Sequence, residues 1–138
     1  MRKKIIITGG LGYIGTELCK IYSGVSWHHH IIVLDNRFIS ERVNQIRNWN
    51  MEFIHGDILD KDLVNKYFSN ADVVHHLAGI TSVPRTKSES SKDIDEKIKL
   101  VAEEGTQNIL NTISNNCKLI FPSTHVVYEG ISEVKKDI

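Results

Sequence analysis

Four glycines, Gly9, Gly10, Gly12 and Gly15, punctuate the stretch Lys4-Ile5-Ile6-Ile7-Thr8-Gly9-Gly10-Leu11-Gly12-Tyr13-Ile14-Gly15, and Asp35 follows twenty positions after the last of them. Without a Cβ, Gly9, Gly10 and Gly12 let the chain turn sharply and bring its backbone close to a ligand. A helix starting between Leu11 and Tyr13 would carry Tyr13 and Ile14 in its first turn. Gly15 falls inside it, where the missing side chain permits tight packing on a sheet. The unpaired N–H groups and positive dipole end of such a helix suit a pyrophosphate. Asp35 closes the apolar run Ile31-Ile32-Val33-Leu34 and is followed by Asn36. A carboxylate there accepts both hydroxyls of an adenosine ribose and repels a 2′-phosphate. A glycine-rich turn alone describes many loops. Strand, glycines, helix, second strand and acid at this spacing point to NAD.

Two further segments offer contacts to such a ligand. Asp57 follows Met51-Glu52-Phe53-Ile54-His55-Gly56, at the carboxyl end of an expected strand. Its carboxylate can accept from an adenine amino group while the Ile58 N–H donates to the ring. Asp57 or Asp60 can instead cap the following helix; Asp60 suits the cap better, which leaves Asp57 for the ligand. Leu77-Ala78-Gly79 closes another strand, and its small pair lets backbone reach phosphates and ribose. The histidines carry less. His28, His29 and His30 have no acid or cysteine at ligand spacing, so a solvated loop is expected and no metal site. His75 and His76 alternate across a strand, cannot easily share one ion, and are expected to be buried and hydrogen-bonded.

The elements that must position these residues follow from periodicity. Ile5, Ile6 and Ile7 form the continuous β-branched run of a parallel strand covered on both faces. A helix over 13–23 is expected to place Ile14, Leu18 and Ile21 on one face and to end at Gly24 in the left-handed conformation. A short helix near 40–48, a strand over 51–55, a helix over 61–69 and a strand over 71–77 come next. Residues 80–93 are expected as a loop. A long helix follows, with Ile94, Ile98, Val101, Gly105, Ile109 and Ile113 as its inner stripe and Lys and Glu outside. Asn115-Asn116 turns into a fifth strand, Lys118-Leu119-Ile120-Phe121, ending at Pro122-Ser123-Thr124-His125; 126–138 has no clear periodicity. Strands alternating with helices imply a doubly wound parallel α/β sheet, a Rossmann fold of strand order 3-2-1-4-5 with right-handed crossovers. Its ligand crevice lies at the switch between the first and fourth strands.

At 138 residues, the chain is expected to form one domain over 1–138. Seventeen acidic residues balance seventeen basic ones, so no bulk charge points to nucleic acid or an anionic membrane. Cys19 and Cys117 fit reduced thiols with packing roles in a cytoplasmic protein. Arg2-Lys3-Lys4 precedes only three isoleucines, too few for a signal peptide, and no run is long enough to span a membrane.

Thr8-Gly9-Gly10-Leu11-Gly12-Tyr13-Ile14-Gly15, Leu34-Asp35-Asn36, Gly56-Asp57-Ile58, His76-Leu77-Ala78-Gly79, Ser82-Val83-Pro84-Arg85, Gly105-Thr106-Gln107-Asn108-Ile109-Leu110 and Ser123-Thr124-His125-Val126-Val127-Tyr128 occur in that order. Together they resemble the extended short-chain dehydrogenase/reductase family, in its nucleotide-sugar epimerase/dehydratase branch. The resemblance implies an NAD-dependent enzyme whose substrate is a sugar linked to UDP, GDP or dTDP. It implies hydride transfer from a sugar carbon to the nicotinamide, then epimerisation, dehydration or decarboxylation of the keto intermediate. It further implies a Tyr base made acidic by a Lys four places on, a Ser or Thr holding the sugar oxygen, and a homodimer paired partly through the 94–114 helix. By motif position Thr124 is the hydroxyl residue; the other reading makes it a turn residue ending the fifth strand.

Departures from the pattern are specific. Tyr13, Tyr22, Tyr67 and Tyr128 are followed four places on by Glu17, Ser26, Ala71 and Ser132, so the sequence has no Tyr-x-x-x-Lys. Ala102 stands where the family has an Asn ahead of Gly-Thr, and Glu129 where it has a Gly. The fifth strand would be an uncovered edge. The expectation is therefore the N-terminal, NAD-binding part of a longer enzyme, inactive alone, with a catalytically inactive dinucleotide-binding or regulatory module as the alternative.

Overall fold

A computed structural model describes residues 1–80 and 92–124. Strands β1 (Lys4–Thr8), β2 (His30–Asp35), β3 (Glu52–His55), β4 (Val73–His76) and β5 (Lys118–Ile120) form one sheet in the order β3-β2-β1-β4-β5. All neighbours are parallel. Helices α1 (Tyr13–Tyr22), α2 (Ser40–Asn48) and α3 (Lys61–Phe68) connect the first four strands. Before β5 come α4 (Lys92–Leu100), a π-helical turn (Val101–Gly105) and α5 (Thr106–Thr112). The fold class and strand order are those expected. Ser82–Arg85, His125–Tyr128 and Glu129 lie outside the described residues.

The isoleucine run of β1 is apolar throughout because both of its faces are covered. Ile6 packs with Ile32, Leu34, Val64, Phe68, Val74 and Ile109 under α3 and α5. Ile5 and Ile7 pack with Leu11, Cys19, Val33, Val43 and Ile46 under α1 and α2. Register then decides the site. Thr8 stands opposite Leu34 on β2 and opposite His76 on β4, while Asp35 stands opposite His55 on β3. The residues following these positions therefore emerge side by side at one end of the sheet.

Four local expectations are corrected. Ile14 and Ile21 are 68% and 75% exposed; α1 packs through Gly15 and Cys19, with Leu18 and Tyr22 partly buried. The helix presents its small residues to the sheet because only they admit the turn before it. Gly24 is not left-handed: among the described residues the positive-φ positions are Gly9 and Asn50, and α1 runs out through tight turns from Ser23 to His28. Lys92 and Asp93, assigned to a loop, begin α4. The stripe of the long helix is buried only in its second half, at Val101, Gly105 and Ile109, while Ile94 is exposed. The π turn inserts between the two halves and breaks the 3.6-residue period.

Asp60 caps α3 by accepting from the Leu63 N–H at 3.1 Å. Phe68, at the far end of the same helix, is fully buried. Urea unfolding should rank the two: Phe68→Ala should cost about 3–5 kcal/mol through its cavity, and Asp60→Ala about 0.5–2 kcal/mol through the lost cap. Equal midpoints for the two variants would contradict this placement of the core.

Candidate functional site

The glycine turn is built against the end of β4. Gly9 has φ +66°, and a Cβ there would lie 2.8 Å from the Ala78 nitrogen and 2.8 Å from the Leu77 carbonyl carbon. Its own N–H donates to the Leu34 carbonyl at 2.8 Å. Gly10 lies over Val33. Gly15 closes on the turn from the helix side, where a Cβ would meet the Gly9 carbonyl and the Gly10 backbone. Three of the four glycines thus serve close packing. Gly12 is the α1 N-cap, with no side-chain cap and no acid in the first turn. The helical ladder begins with the Thr16 N–H donating to the Gly12 carbonyl at 2.9 Å. The Tyr13, Ile14 and Gly15 amides precede it at the positive end of the helix. The Tyr13 side chain is 89% exposed beside them.

Asp35 is 4% exposed and lies beside this turn. Its Oδ2 accepts from the Leu11 N–H at 3.0 Å. Its Oδ1 accepts from the Arg37 backbone N–H at 3.0 Å and from Arg37 Nε at 3.3 Å. An ionised carboxylate has about four acceptor positions, so three are engaged and Oδ2 keeps one. Arg37 and Arg42 were missed from sequence. The Arg42 guanidinium donates to the Leu11 carbonyl and lies 5.9 Å from the centre of the Tyr13 ring. Arginines two and seven places after the acid were the available signal. Asn36 is exposed, and its carbonyl accepts from His55 Nε2 at 3.0 Å.

Asp57 is not wholly free for a ligand: its Oδ1 accepts from the Leu59 N–H at 2.9 Å and closes its own turn. The Ile58 side chain is buried against Gly105, and its carbonyl accepts from Asn108 Nδ2 at 3.0 Å. At the end of β4, Leu77 and Ala78 donate their N–H groups to Thr8 Oγ1 at 3.1 and 3.0 Å. Among the described residues nothing lies within 4 Å of a Cβ built on Gly79. Thr124 is exposed and lies beyond the end of β5. The structure thus gathers Gly9 to Gly15, Asp35, Asn36 and Leu77 to Gly79 at the carboxyl ends of β1, β2 and β4. Asp57, Ile58 and Thr124 follow the ends of β3 and β5.

His75 and His76 lie on opposite faces, as expected. His75 Nε2 meets the Tyr22 hydroxyl at 2.7 Å; His76 bridges Thr8 and Thr106. His29 Nδ1 accepts from the Lys3 N–H at 3.2 Å, and His30 pairs with Glu52 at 2.8 Å. With Arg2, Arg47, Asn50 and Met51 these residues border a cavity of about 370 Å3 at the amino ends of β2 and β3, away from the crevice. Among the described residues no three His, Cys, Asp or Glu side chains are placed to hold a metal ion. No described helix is long and apolar enough to cross a membrane.

The sequence profile of the NAD dependent epimerase/dehydratase family matches residues 5–137. The UDP-N-acetyl-alpha-D-glucosaminuronate decarboxylase of Bacillus cytotoxicus is 33% identical over 130 residues, 93% of this chain and 38% of that protein. The CDP-paratose 2-epimerase of Salmonella typhi is 33% identical over 144 residues, 96% of this chain and 40% of that protein. The solved UDP-N-acetylglucosamine 4-epimerase from Methanobrevibacter ruminantium, in complex with UDP-N-acetylmuramic acid, superposes with a TM-score of 0.73 at 26% identity, covering 98% of this chain and 43% of its own. The chain spans about two fifths of the length of these proteins.

Burial pushes the pKa of both His75 and His76 below the ordinary histidine value, Lys118 adding to the effect on His75. In the unfolded chain each takes up a proton near pH 6.5. The native state therefore binds fewer protons just below that pH, and stability falls as the pH drops from about 6.5 toward the lowered folded values. Thermal melts between pH 7.5 and 5.0 should show this decline; a flat profile would mean that the rings are solvated.

Proposed function

The chain belongs to the NAD-dependent epimerase/dehydratase family, and from that premise we propose that residues 1–138 form the NAD-binding domain of a cytoplasmic nucleotide-sugar epimerase or dehydratase. The single observation that carries the reading is the bare, cation-flanked helix end at the β1/β4 switch, with the buried Asp35 carboxylate beside it. The fit is one of shape and charge. The first amides of α1 offer donors to a pyrophosphate, and the first turn of the helix carries no acid. Gly9 and Gly15 keep the backbone low enough for a ligand to lie across the turn.

In this reading the Tyr13 and Ile14 amides hold the pyrophosphate. Asp35 takes a ribose hydroxyl at its remaining acceptor position, and more once the Arg37 side chain yields Oδ1; Asn36 stands beside it. Asp57, through Oδ2, and the Ile58 N–H meet the adenine. Leu77, Ala78 and Gly79 line the way to the reacting end. NAD bound there supplies the hydride acceptor for oxidation of a sugar carbon. Thr124 donates a hydrogen bond to the reacting sugar oxygen as charge develops on it. No Tyr-x-x-x-Lys occurs in this sequence, so the base that takes the sugar hydroxyl proton is assigned outside these residues, and the chain alone is inactive. Pairing of two copies through the 94–114 helix completes the assembly.

That same missing motif favours a second reading, a module that binds the dinucleotide without turning it over. Calorimetric titration with NAD and NADP, beside an assay for reduced cofactor with several nucleotide sugars, separates the two. Reduced cofactor supports the enzyme, and NAD binding without it supports the module. In either case Asp35→Ala should weaken NAD about 10–100-fold, the worth of a hydrogen bond to a charged group, and should narrow the preference over NADP. Unchanged selectivity in a variant that melts like the parent would remove Asp35 from the ribose.

A further inference from the structure

The hydroxyl of Thr8 has one proton and two lone pairs. The Ala78 N–H donates to it at 3.0 Å and the Leu77 N–H at 3.1 Å, the latter shared with the Thr8 carbonyl at 3.2 Å, which engages both lone pairs. Its proton is left for His76 Nδ1, 2.8 Å away. Nδ1 must then be bare, and Nε2 carries the ring proton and donates to Thr106 Oγ1 at 2.9 Å. The tautomer of a 2% exposed histidine is thus fixed by counting donors. The chain of bonds joins β4, β1 and the first residue of α5. It acts where there is little room, because Thr8 precedes Gly9 and the space of the missing Gly9 side chain is filled by the Leu77–Ala78 peptide.

We propose that His76 is a positioning residue for the cofactor crevice: its neutral Nε2–H form sets Thr8 to clamp the Leu77 and Ala78 amides, and protonation of Nδ1 releases that clamp and weakens NAD binding. A proton on Nδ1 faces the Thr8 hydroxyl, which has no lone pair to offer unless it gives up one of the two amides. Among the described residues the ring has no charged neighbour to relieve this. Thr8 faces it from β1, Thr106 from α5, and the Phe121 ring, 5.5 Å away, from beyond β5. Glu103 and Glu104, on the π turn before α5, are exposed. His75, on the other face of β4, is held by Tyr22. Burial lowers the His76 pKa, so the release falls on the acid side of about pH 6.5.

This device regulates the site assigned to NAD above and rests on that assignment, so the experiment reads the two separately. Long-range 15N–1H spectra of the cofactor-free protein at pH 7.5 should show His76 protonated at Nε2 and bare at Nδ1; a proton on Nδ1 overturns the inference. NAD titrations of the same protein from pH 7.5 to 5.0, over which its spectrum must remain that of a folded chain, should show at least a threefold loss of affinity. The midpoint should match the NMR titration of His76. His76→Asn, whose amide oxygen can accept from Thr8 without titrating, should flatten the profile. NAD binding that is independent of pH, or follows another group, overturns the inference alone. No NAD binding at any pH removes the cofactor assignment and the inference with it.

Discussion

The site is constrained by the approach of the Gly9 turn to the Leu77–Ala78 peptide, where no Cβ has room. It exists because β1 is the central strand and its register sets Thr8 opposite both Leu34 and His76. Three chain segments must leave the sheet from three adjacent strands. Glycine on one segment and a small residue on the next allow this without steric cost. Thr8 then binds the pair: its hydroxyl accepts from the Ala78 N–H and shares the Leu77 N–H with the Thr8 carbonyl. Moving either wall of the crevice means breaking bonds buried with the core.

Residues with mechanical roles were the more legible in the sequence. The β-branched run of β1, the Asp60 cap and the alternation of His75 with His76 follow from steric and hydrogen-bonding rules that act within a few residues. The inner face of α1 did not follow. A helix over a sheet normally turns its larger apolar residues inward, and Ile14 and Ile21 match that pattern. The glycine turn overrides it, since it brings α1 so near that Gly15 and Cys19 must face the strands. Gly24 failed for a related reason: α1 unwinds through successive tight turns, so no left-handed residue is needed to stop it. The π turn at Val101–Gly105 leaves no mark in a period count, because its five residues contain both a buried Val and a buried Gly at plausible helical spacing.

Asp35 shows why a site can be located from sequence while its contacts cannot. Its distance from the glycines is set by the length of one helix and one strand, which a chain of residues states directly. Its partners depend on where α2 and the segment after β2 carry Arg37 and Arg42, which is a tertiary matter. The carboxylate is both a structural tie, through Leu11, and an acceptor with capacity remaining on Oδ2. Asp57 has a similar division, with one oxygen spent on its own turn. In both cases the folded chain uses part of the acid to hold the shape in which the rest is presented.

Packing is unequal across the sheet. The β1–β2 side, where the glycine turn and Asp35 lie, is buried between two apolar layers. Toward β5 the cover thins: the strand has three residues, Lys118 and Ile120 are exposed, and α4 buries no residue. Among the described residues β5 is an outer strand of the sheet, and a short strand carrying a lysine resists unwanted pairing. Thr124 lies beyond β5, at the opposite flank from Asp35 and Asp57. A dinucleotide bound as proposed, from Asp35 past Gly12 to Gly79, would therefore pass from the more deeply buried strands toward the thinly covered side. Its invariant half would meet fixed donors, and its reacting half would meet the part of the chain with room to admit a second molecule.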